Sequence, residues 1–587
     1  MKKCRIGVVG VGRGSMMWKY CKDAVNAEIV AICDQWAAGL EKAEKEIQSP
    51  DVSYYKDYAQ FLQHDMDAVL LANYANEHAP FAIAAMKAGK DVISEVLPAQ
   101  NPAEAIALIE CVEETGRKYC YAENYCFMGG PREMRRRYRA GELGSFEYGE
   151  GEYMHNCEPL WPDITRGDET HWRNNMTAFF YCTHSMGPLL HITGLHPVRV
   201  IGLECPFNER MARMGAKAGS TAVEMVTLEN GAVIKSLHGV GCSKDSIWYS
   251  IYGSKGRLET AREDAEADGV SRLYINLDEQ EGQNRNQPSN CKVEDELSRK
   301  GEKHGHGGSD YVCLYNAIEY LNGNDAADIV DVYEAVEMWL PGFFGYISVL
   351  EGGRAQDIPN FRIREERDRW RHDTRCTDPK AAGNQLLPSY SKGNPAVDPA
   401  IYELCRRQWE EKQPKPQLVM RWKNDGQPSE GFVLPQGVVL ETFTQRKAAL
   451  DDWLDIVQHG LTDKREDEAF YHKCMTETPF YQEEQCYFLS ENGQAMATIT
   501  VICDPDKREG YIHMVACKPE YRGRGLGNLL NAIAVETLKK QQMQTAWLTT
   551  DDWRIPAIRS YLRFGFLPDV SGEGMQERWD AIYQKIK

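Results

Sequence analysis

Along residues 1–125, short apolar runs alternate with longer amphipathic stretches. Residues 5–9, 27–33, 66–72 and 91–96 read as strands, and 35–47 and 77–88 as helices, the second stopped by Gly89. Strand–helix–strand alternation predicts a parallel sheet with right-handed crossovers. From Ser145 the pattern changes to short β-rich segments at 222–228, 232–237, 246–252 and 257–259, set apart by Gly or Asn turns, as in an antiparallel sheet. Two helical runs follow, 311–321 and 330–350. Residues 366–430 become polar and proline-rich, as at Gln413-Pro-Lys-Pro, and read as an extended surface linker with one short helix near 400–412. A third compact unit spans 431–587.

Composition narrows the classes. A chain of 587 residues exceeds one core, since single cores stop growing near roughly 250–300 residues. A net charge of −19 argues against wrapping nucleic acid or binding an anionic membrane, so neither partner is expected. The 18 cysteines are scattered without a Cys-x-x-Cys pair, the usage of a chain kept reduced, and a cytoplasmic location is expected. No window reaches the ~18 uninterrupted apolar residues of a membrane span.

The first strand runs into Gly10-Val11-Gly12-Arg13-Gly14-Ser15, where a turn without side chains lets backbone amides meet a pyrophosphate at a helix start. Asp34 ends the second strand, where an acid accepts hydrogen bonds from both ribose hydroxyls and repels a 2′-phosphate. NAD is the expected cofactor, with Gly10, Gly12, Arg13, Gly14, Ser15, Asp34 and Glu95 around it.

With these residues, 1–365 resemble the Gfo/Idh/MocA oxidoreductases, which pair a Rossmann domain with a mostly antiparallel substrate domain. That family usually carries Glu-Lys-Pro after its fifth strand, whereas this chain has Glu95-Val-Leu-Pro98 and lacks the proton-relay lysine. A subgroup without it fits better. Val92-Ile-Ser-Glu-Val, Glu123-Asn-Tyr-Cys, Gly149-Glu-Gly-Glu-Tyr153, His171-Trp-Arg, Tyr181-Cys-Thr-His-Ser-Met-Gly-Pro188 and Gly305-His-Gly-Gly-Ser-Asp-Tyr311 resemble the NAD-dependent α-N-acetylgalactosaminidase group of glycoside hydrolases, in order and at similar spacing.

The resemblance implies a redox-neutral cycle: oxidation of a ring carbon, expected to be carbon 3, loss of the carbon 2 proton, elimination of the aglycone, water addition and re-reduction. It implies active-site roles for Glu123, Tyr153, His171, Tyr181 and His184. His184 or Tyr181 is expected to handle the carbon 3 hydroxyl proton, and Tyr153 the carbon 2 proton. Lys303-His-Gly-His306 lacks the further ligands a metal needs, so no metal is expected, and His306 reads as lining the sugar pocket or lying in a solvated loop.

In the third unit, Arg522-Gly-Arg-Gly525-Leu-Gly527 follows a strand and opens a helix. Arg554-Ile-Pro-Ala557-Ile-Arg-Ser-Tyr561-Leu-Arg-Phe-Gly-Phe566 lies downstream. Together they resemble the GNAT N-acetyltransferases, with Arg554 where that family usually has Asn. The resemblance implies acetyl-CoA on Arg522, Gly523, Arg524, Gly525 and Gly527, and Tyr561 protonating the departing thiolate. Glu520 and Asp551 are too loosely placed to be named as the base.

The expected fold class is α/β: a Rossmann domain (1–125), an α+β antiparallel-sheet substrate domain (126–365), a linker (366–430) and a GNAT domain (431–587). The leading reading is an NAD-dependent glycosidase fused to an acetyltransferase, acting on a small glycoside. A glycoside 3-dehydrogenase with net NADH production is the runner-up, and a nucleotide-sensing protein the third. The resemblance also implies a homo-oligomer formed through the exposed face of the antiparallel sheet.

Overall fold

The structure is a computed structural model describing residues 3–262, 272–278, 289–413, 415–428, 431–462, 464–572 and 574–586. Pro414 of the proline-rich stretch lies outside the described residues. The chain forms two compact units, Met1–Gln413 and Pro414–Lys587.

The first unit opens with β1 (Cys4–Val9), β2 (Ala27–Cys33), β3 (Ser53–Tyr55), β4 (Ala68–Leu71), β5 (Asp91–Ser94) and β6 (Tyr119–Tyr121). They form a parallel sheet in the order β3-β2-β1-β4-β5-β6. Its central strands are covered on both faces, which is why their sequences are near-continuous apolar runs: Ile6, Val8, Ile32, Leu70 and Ile93 are all fully buried. The strand order reverses between β1 and β4, and a ligand cleft opens beyond the carboxyl ends of strands at such a switch point.

The second sheet contains β7 (Phe146–Asn156), β8 (Pro197–Glu204), β9 (Ala222–Leu228), β10 (Val233–Gly239), β11 (Gly241–Gly253), β12 (Gly256–Thr260), β13 (Arg272–Leu277), β14 (Ser289–Lys292) and β15 (Gln356–Asp357). Its order is β14-β13-β12-β11-β7-β10-β9-β8-β15. The antiparallel expectation holds except at β10–β7, which pair in parallel because β7 inserts between β10 and β11 and makes the sheet mixed. One face carries the helix Cys182–Thr193, buried along its whole length. Gly151 of β7 allows that approach, since a Cβ there would lie 1.8 Å from the Ser185 carbonyl oxygen.

Residues 366–413 of the stretch read as a linker pack on the first unit. Arg371 makes a two-pronged bond to Glu110, Arg367 does the same to Glu113, and Tyr402 donates to the Gly215 carbonyl. Its later part behaves differently. Leu418–Lys423 is a strand, β16, of the second unit, with Leu418, Met420 and Trp422 turned into the core. Its alternating pattern was hidden by the prolines before it.

The second unit joins β16 to β17 (Val438–Thr442), β18 (Cys486–Glu491), β19 (Gln494–Asp504), β20 (Glu509–Cys517), β21 (Thr545–Thr550) and β22 (Leu567–Pro568), in the order β17-β18-β19-β20-β21-β16-β22. The helix Leu526–Lys540 covers one face through Leu530, Ile533 and Leu538. Ala449–Val457 contributes Trp453 and Ile456 to a separate apolar cluster with Phe488 and Ala516.

Candidate functional site

The glycine loop leaves β1 at Gly10, whose φ of +91° suits glycine and where a Cβ would strike the Ala72 carbonyl at 2.4 Å. Gly14 bonds back to the Gly10 carbonyl at 3.1 Å, and Ser15 begins the helix Ser15–Asp23. A Cβ built on Gly12 meets nothing within 4 Å, which leaves room beside the helix start for a phosphate. The Asp34 carboxylate accepts from the Val11 and Trp36 amides, both at 2.8 Å, and so holds the end of β2 against the loop. These residues fit a dinucleotide.

Arg13, expected beside the cofactor, is engaged with two carboxylates. It donates to Glu95 at 2.8 Å and to both Asp310 oxygens at 2.6 and 2.8 Å, spanning the cleft. Burial alone would raise the Asp310 pKa, but bonds from Arg13 and His306 outweigh it and hold the carboxyl below its usual range. Glu95 is buried and its pKa is raised by desolvation, with Arg13 opposing.

Four of the five expected catalytic side chains converge. Glu123 is fully buried at the end of β6, and its carboxylate lies 2.7 Å from Nδ1 of His184. Tyr181 caps the start of the helix Cys182–Thr193, and its ring stacks on His184 at 5.4 Å, as their spacing of three requires. Tyr153 reaches the same point from β7, with ring centroids 4.6 Å from His184 and 5.5 Å from Tyr181. Burial pushes the Tyr153 phenol well above its ordinary pKa and no cation opposes it. Burial raises Tyr181 as well, but there the Arg173 guanidinium donates to the phenol oxygen and pulls the other way.

His171 stands one step away. Its Nδ1 accepts from the Arg173 amide at 3.2 Å, and its ring meets Tyr74 at 4.9 Å. Desolvation and Arg173 lower its pKa to about 4. His306 lies beside the cluster, 3.1 Å from Asp310 and with its ring 6.0 Å from Tyr125. Among the described residues no group of three His, Cys, Asp or Glu could hold a metal. Tyr125, Arg173 and Asp310 complete the site and were not singled out from sequence. Each lies inside a motif already quoted, at Glu123-Asn-Tyr, His171-Trp-Arg and Ser309-Asp-Tyr.

In the second unit, β20 and β21 pair in parallel only over Glu509–Ile512 and Thr545–Leu548. Beyond that point β20 bulges, with Met514 at φ +52°. The glycines of the following loop, Gly523 (φ +80°), Gly525 (φ +81°) and Gly527, would carry a Cβ into open space, so the loop before Leu526–Lys540 is an open cradle for a pyrophosphate. Both loop arginines have protein partners: Arg522 holds the His459 carbonyl at 2.6 Å and Arg524 holds Glu491 at 2.7 Å. Tyr561 is buried, and desolvation raises its pKa to about 12 against the pull of Arg554. Arg554 itself bonds Asp551 at 2.8 Å and the Gly460 carbonyl at 2.7 Å, while Glu520 is exposed.

Family comparison matches three stretches of the chain. Residues 4–123 match the oxidoreductase family with an NAD-binding Rossmann fold, 194–371 the glycosyl hydrolase 109 C-terminal domain, and 450–566 the GNAT acetyltransferase family. The chain carries a Gfo/Idh/MocA NAD-binding domain, a glycosyl hydrolase 109 C-terminal domain and a GNAT domain. It is an enzyme whose cofactors are NAD in the first unit and acetyl-CoA in the second. A glycosyl hydrolase family 109 protein of Solibacter usitatus is 28% identical over 392 residues, covering 61% of this chain and 88% of that one. An alpha-N-acetylgalactosaminidase of Tannerella forsythia is 25% identical over 442 residues, covering 63% and 87%. Among solved structures, an oxidoreductase domain protein from Kribbella flavida shares the fold of the first unit, with a TM-score of 0.51, 16% identity and coverage of 61% and 100%. Among the described residues no helix is long and apolar enough to cross a membrane.

Proposed function

We propose that the first unit cleaves an N-acetylhexosaminide, an α-N-acetylgalactosaminide in the first instance, by the redox-neutral oxidation–elimination cycle. The observation that carries this reading is the convergence of Glu123, His184, Tyr181 and Tyr153 beside a dinucleotide loop, with no lysine after Glu95. NAD, when bound, supplies a reversible hydride acceptor. Tyr181, with Arg173 on its oxygen to stabilise the phenolate, takes and returns the proton of the sugar hydroxyl. His184 donates Nδ1–H to Glu123, which leaves Nε2 as an acceptor for the proton on the neighbouring carbon. Tyr153 was the sequence-based choice for that proton. Its burial without a cation disfavours the phenolate, so Tyr153 serves as a hydrogen-bond donor to the glycosidic oxygen, and the proton that His184 takes from the neighbouring carbon passes to the leaving aglycone. His171, held neutral, orients Arg173 through its amide.

The test is aglycone release from aryl α- and β-N-acetylhexosaminides with NAD, with absorbance followed at the NADH band. Release without net NADH supports the glycosidase. NADH accumulating with a keto sugar would establish the dehydrogenase instead.

The GNAT unit then acetylates an amine, with Tyr561 as the proton donor to the leaving thiolate. We read the protein as a homo-oligomer joined through the open face of the second sheet, where Ile201 and Leu203 of β8 and Met225 of β9 are exposed on one side. We read the protein as cytoplasmic from its scattered cysteine usage.

A further inference from the structure

The arginine that stands where the acetyltransferase family usually has asparagine is engaged on three sides. Arg554 precedes the helix Ile555–Arg563, which carries Tyr561. Its Nε donates to Asp551 at 2.8 Å, its Nη2 donates to the Gly460 carbonyl at 2.7 Å, and its guanidinium lies 4.4 Å from the Trp553 ring. An asparagine is uncharged and too short to bridge Asp551 and Gly460, which lies 94 positions back along the chain.

Gly460 belongs to the turn that follows the helix Ala449–Val457, where its φ of +123° suits glycine. The same turn is held a second time, because Arg522 of the pyrophosphate loop donates to the His459 carbonyl at 2.6 Å. Lys518, just past β20, pairs with Asp455 in the last turn of that helix. Three cations from three elements therefore meet one helix end, where free carbonyls and the macrodipole both favour positive charge. Apolar packing does not make this connection. Trp453, Ile456 and Val457 belong to one buried cluster, and Leu526, Ile558 and Tyr561 to another. The polar ties are what set the two clusters against each other at this end of the sheet.

We infer that Arg554 is a positioning residue of the acetyl-transfer site, fixing the helix that carries Tyr561 to the turn at Gly460 beside the pyrophosphate loop. The proton donor, the loop and the turn then keep one geometry through turnover. The charge acts in the same direction. Burial raises the Tyr561 phenol to about 12, and Arg554 pulls against that rise, which makes Tyr561 the better proton donor. The inference rests on the acetyltransferase reading for the role of Tyr561, but the tie itself can be measured separately.

The experiment uses the full chain and the variant Arg554→Met, with Arg554→Asn, the residue usual in the family, as a second in case the first does not fold. Hydrogen exchange is followed at His459, Leu461 and Thr462, whose amides bond the Ile456 and Val457 carbonyls. Loss of the charge-assisted bond should speed their exchange about tenfold or more, with and without acetyl-CoA. Acetyl-CoA affinity by calorimetry should stay within about twofold, whereas kcat for thiol release with galactosamine should fall about tenfold with KM for acetyl-CoA unchanged. Arg554→Lys keeps the charge without the fork, so it should recover part of kcat and leave the turn in fast exchange. Unchanged exchange in the folded variants, or a loss of affinity equal to the loss of rate, overturns the inference. If the wild type releases no thiol with galactosamine, the acceptor fails by itself, and the exchange result still decides the tie.

Discussion

Arg13 and Asp310, 297 positions apart, are joined by two hydrogen bonds of 2.6 and 2.8 Å across the nucleotide cleft. The pair brings the glycine loop, the end of β5 through Glu95, and the helix Ser309–Leu321 to one guanidinium. Asp310 also accepts from Asn124 at 2.9 Å, so the tie reaches the loop that carries Glu123. The cleft is therefore braced by charge, whereas the sheet beneath it is held by apolar packing.

Asp310→Asn should weaken that brace. The Arg13 side chain is 33% exposed, so solvent screens part of the loss, and a destabilisation of about 1–3 kcal/mol is expected. Because the Asp310 pKa is depressed in the fold, its contribution is present above the ordinary carboxylate pKa and is lost as pH falls through the folded value. Urea midpoints at neutral pH should therefore separate the variant from the wild type, and the gap should close in acid. A gap that persists in acid would assign the effect to packing rather than charge.

Tyr181→Phe removes the hydroxyl on which Arg173 acts while keeping the ring against His184. Loss of one proton-transfer group costs roughly 10²–10⁴-fold in rate, so kcat for aglycone release should fall by that order. NAD affinity, measured by tryptophan fluorescence, should remain within about twofold, since 1.4 kcal/mol is already tenfold. Equal losses of affinity and rate would mean that Tyr181 holds the cofactor rather than the proton.

Much of this was legible in sequence, and the exceptions have physical causes. Gly10, Gly12 and Asp34 could be read because a tight turn and a strand end leave local signatures. The cluster of Glu123, Tyr153, Tyr181 and His184 came through motif resemblance, because its members arrive from β6, β7 and a helix start that only the fold brings together. The partners of Arg13 were not legible, because a guanidinium in a nucleotide loop carries no local sign of a carboxylate 297 residues away. The tie from Arg554 to Gly460 was invisible for the same reason, since the two stand 94 positions apart.

In the GNAT unit, Gly523 and Tyr561 should fail in different ways. Gly523→Val puts a β-branched residue at φ +80°, where it is strained, and fills the open cradle. Binding of acetyl-CoA, followed by calorimetry, should weaken at least tenfold, which is about 1.4 kcal/mol. Tyr561→Phe should leave that binding in place and slow release of free thiol with an amine acceptor by roughly 10²-fold or more. Full thiol release in Tyr561→Phe would remove it from the acid role.

His191 provides a pH-dependent test of the first unit's core. It is buried in the helix Cys182–Thr193, with Nδ1 2.8 Å from Glu334 and Nε2 3.2 Å from Asp328. Desolvation would lower its pKa, but the two carboxylates outweigh burial and raise it to about 9. A raised folded pKa means that the stabilisation is complete below the unfolded value near 6.5 and is lost as pH rises through about 9. The wild type should therefore lose roughly 3 kcal/mol between those limits, at about 1.4 kcal/mol per pKa unit. His191→Gln keeps a polar side chain without the charge, so its unfolding midpoint should be lower at pH 6 and nearly flat up to pH 9. Because this helix carries His184, the activity of the wild type should fade with the same alkaline midpoint. A wild-type stability curve that is flat across the window would show that His191 is neutral in the fold and that Asp328 is balanced by arginines, among them Arg135, which bonds it at 2.6 Å.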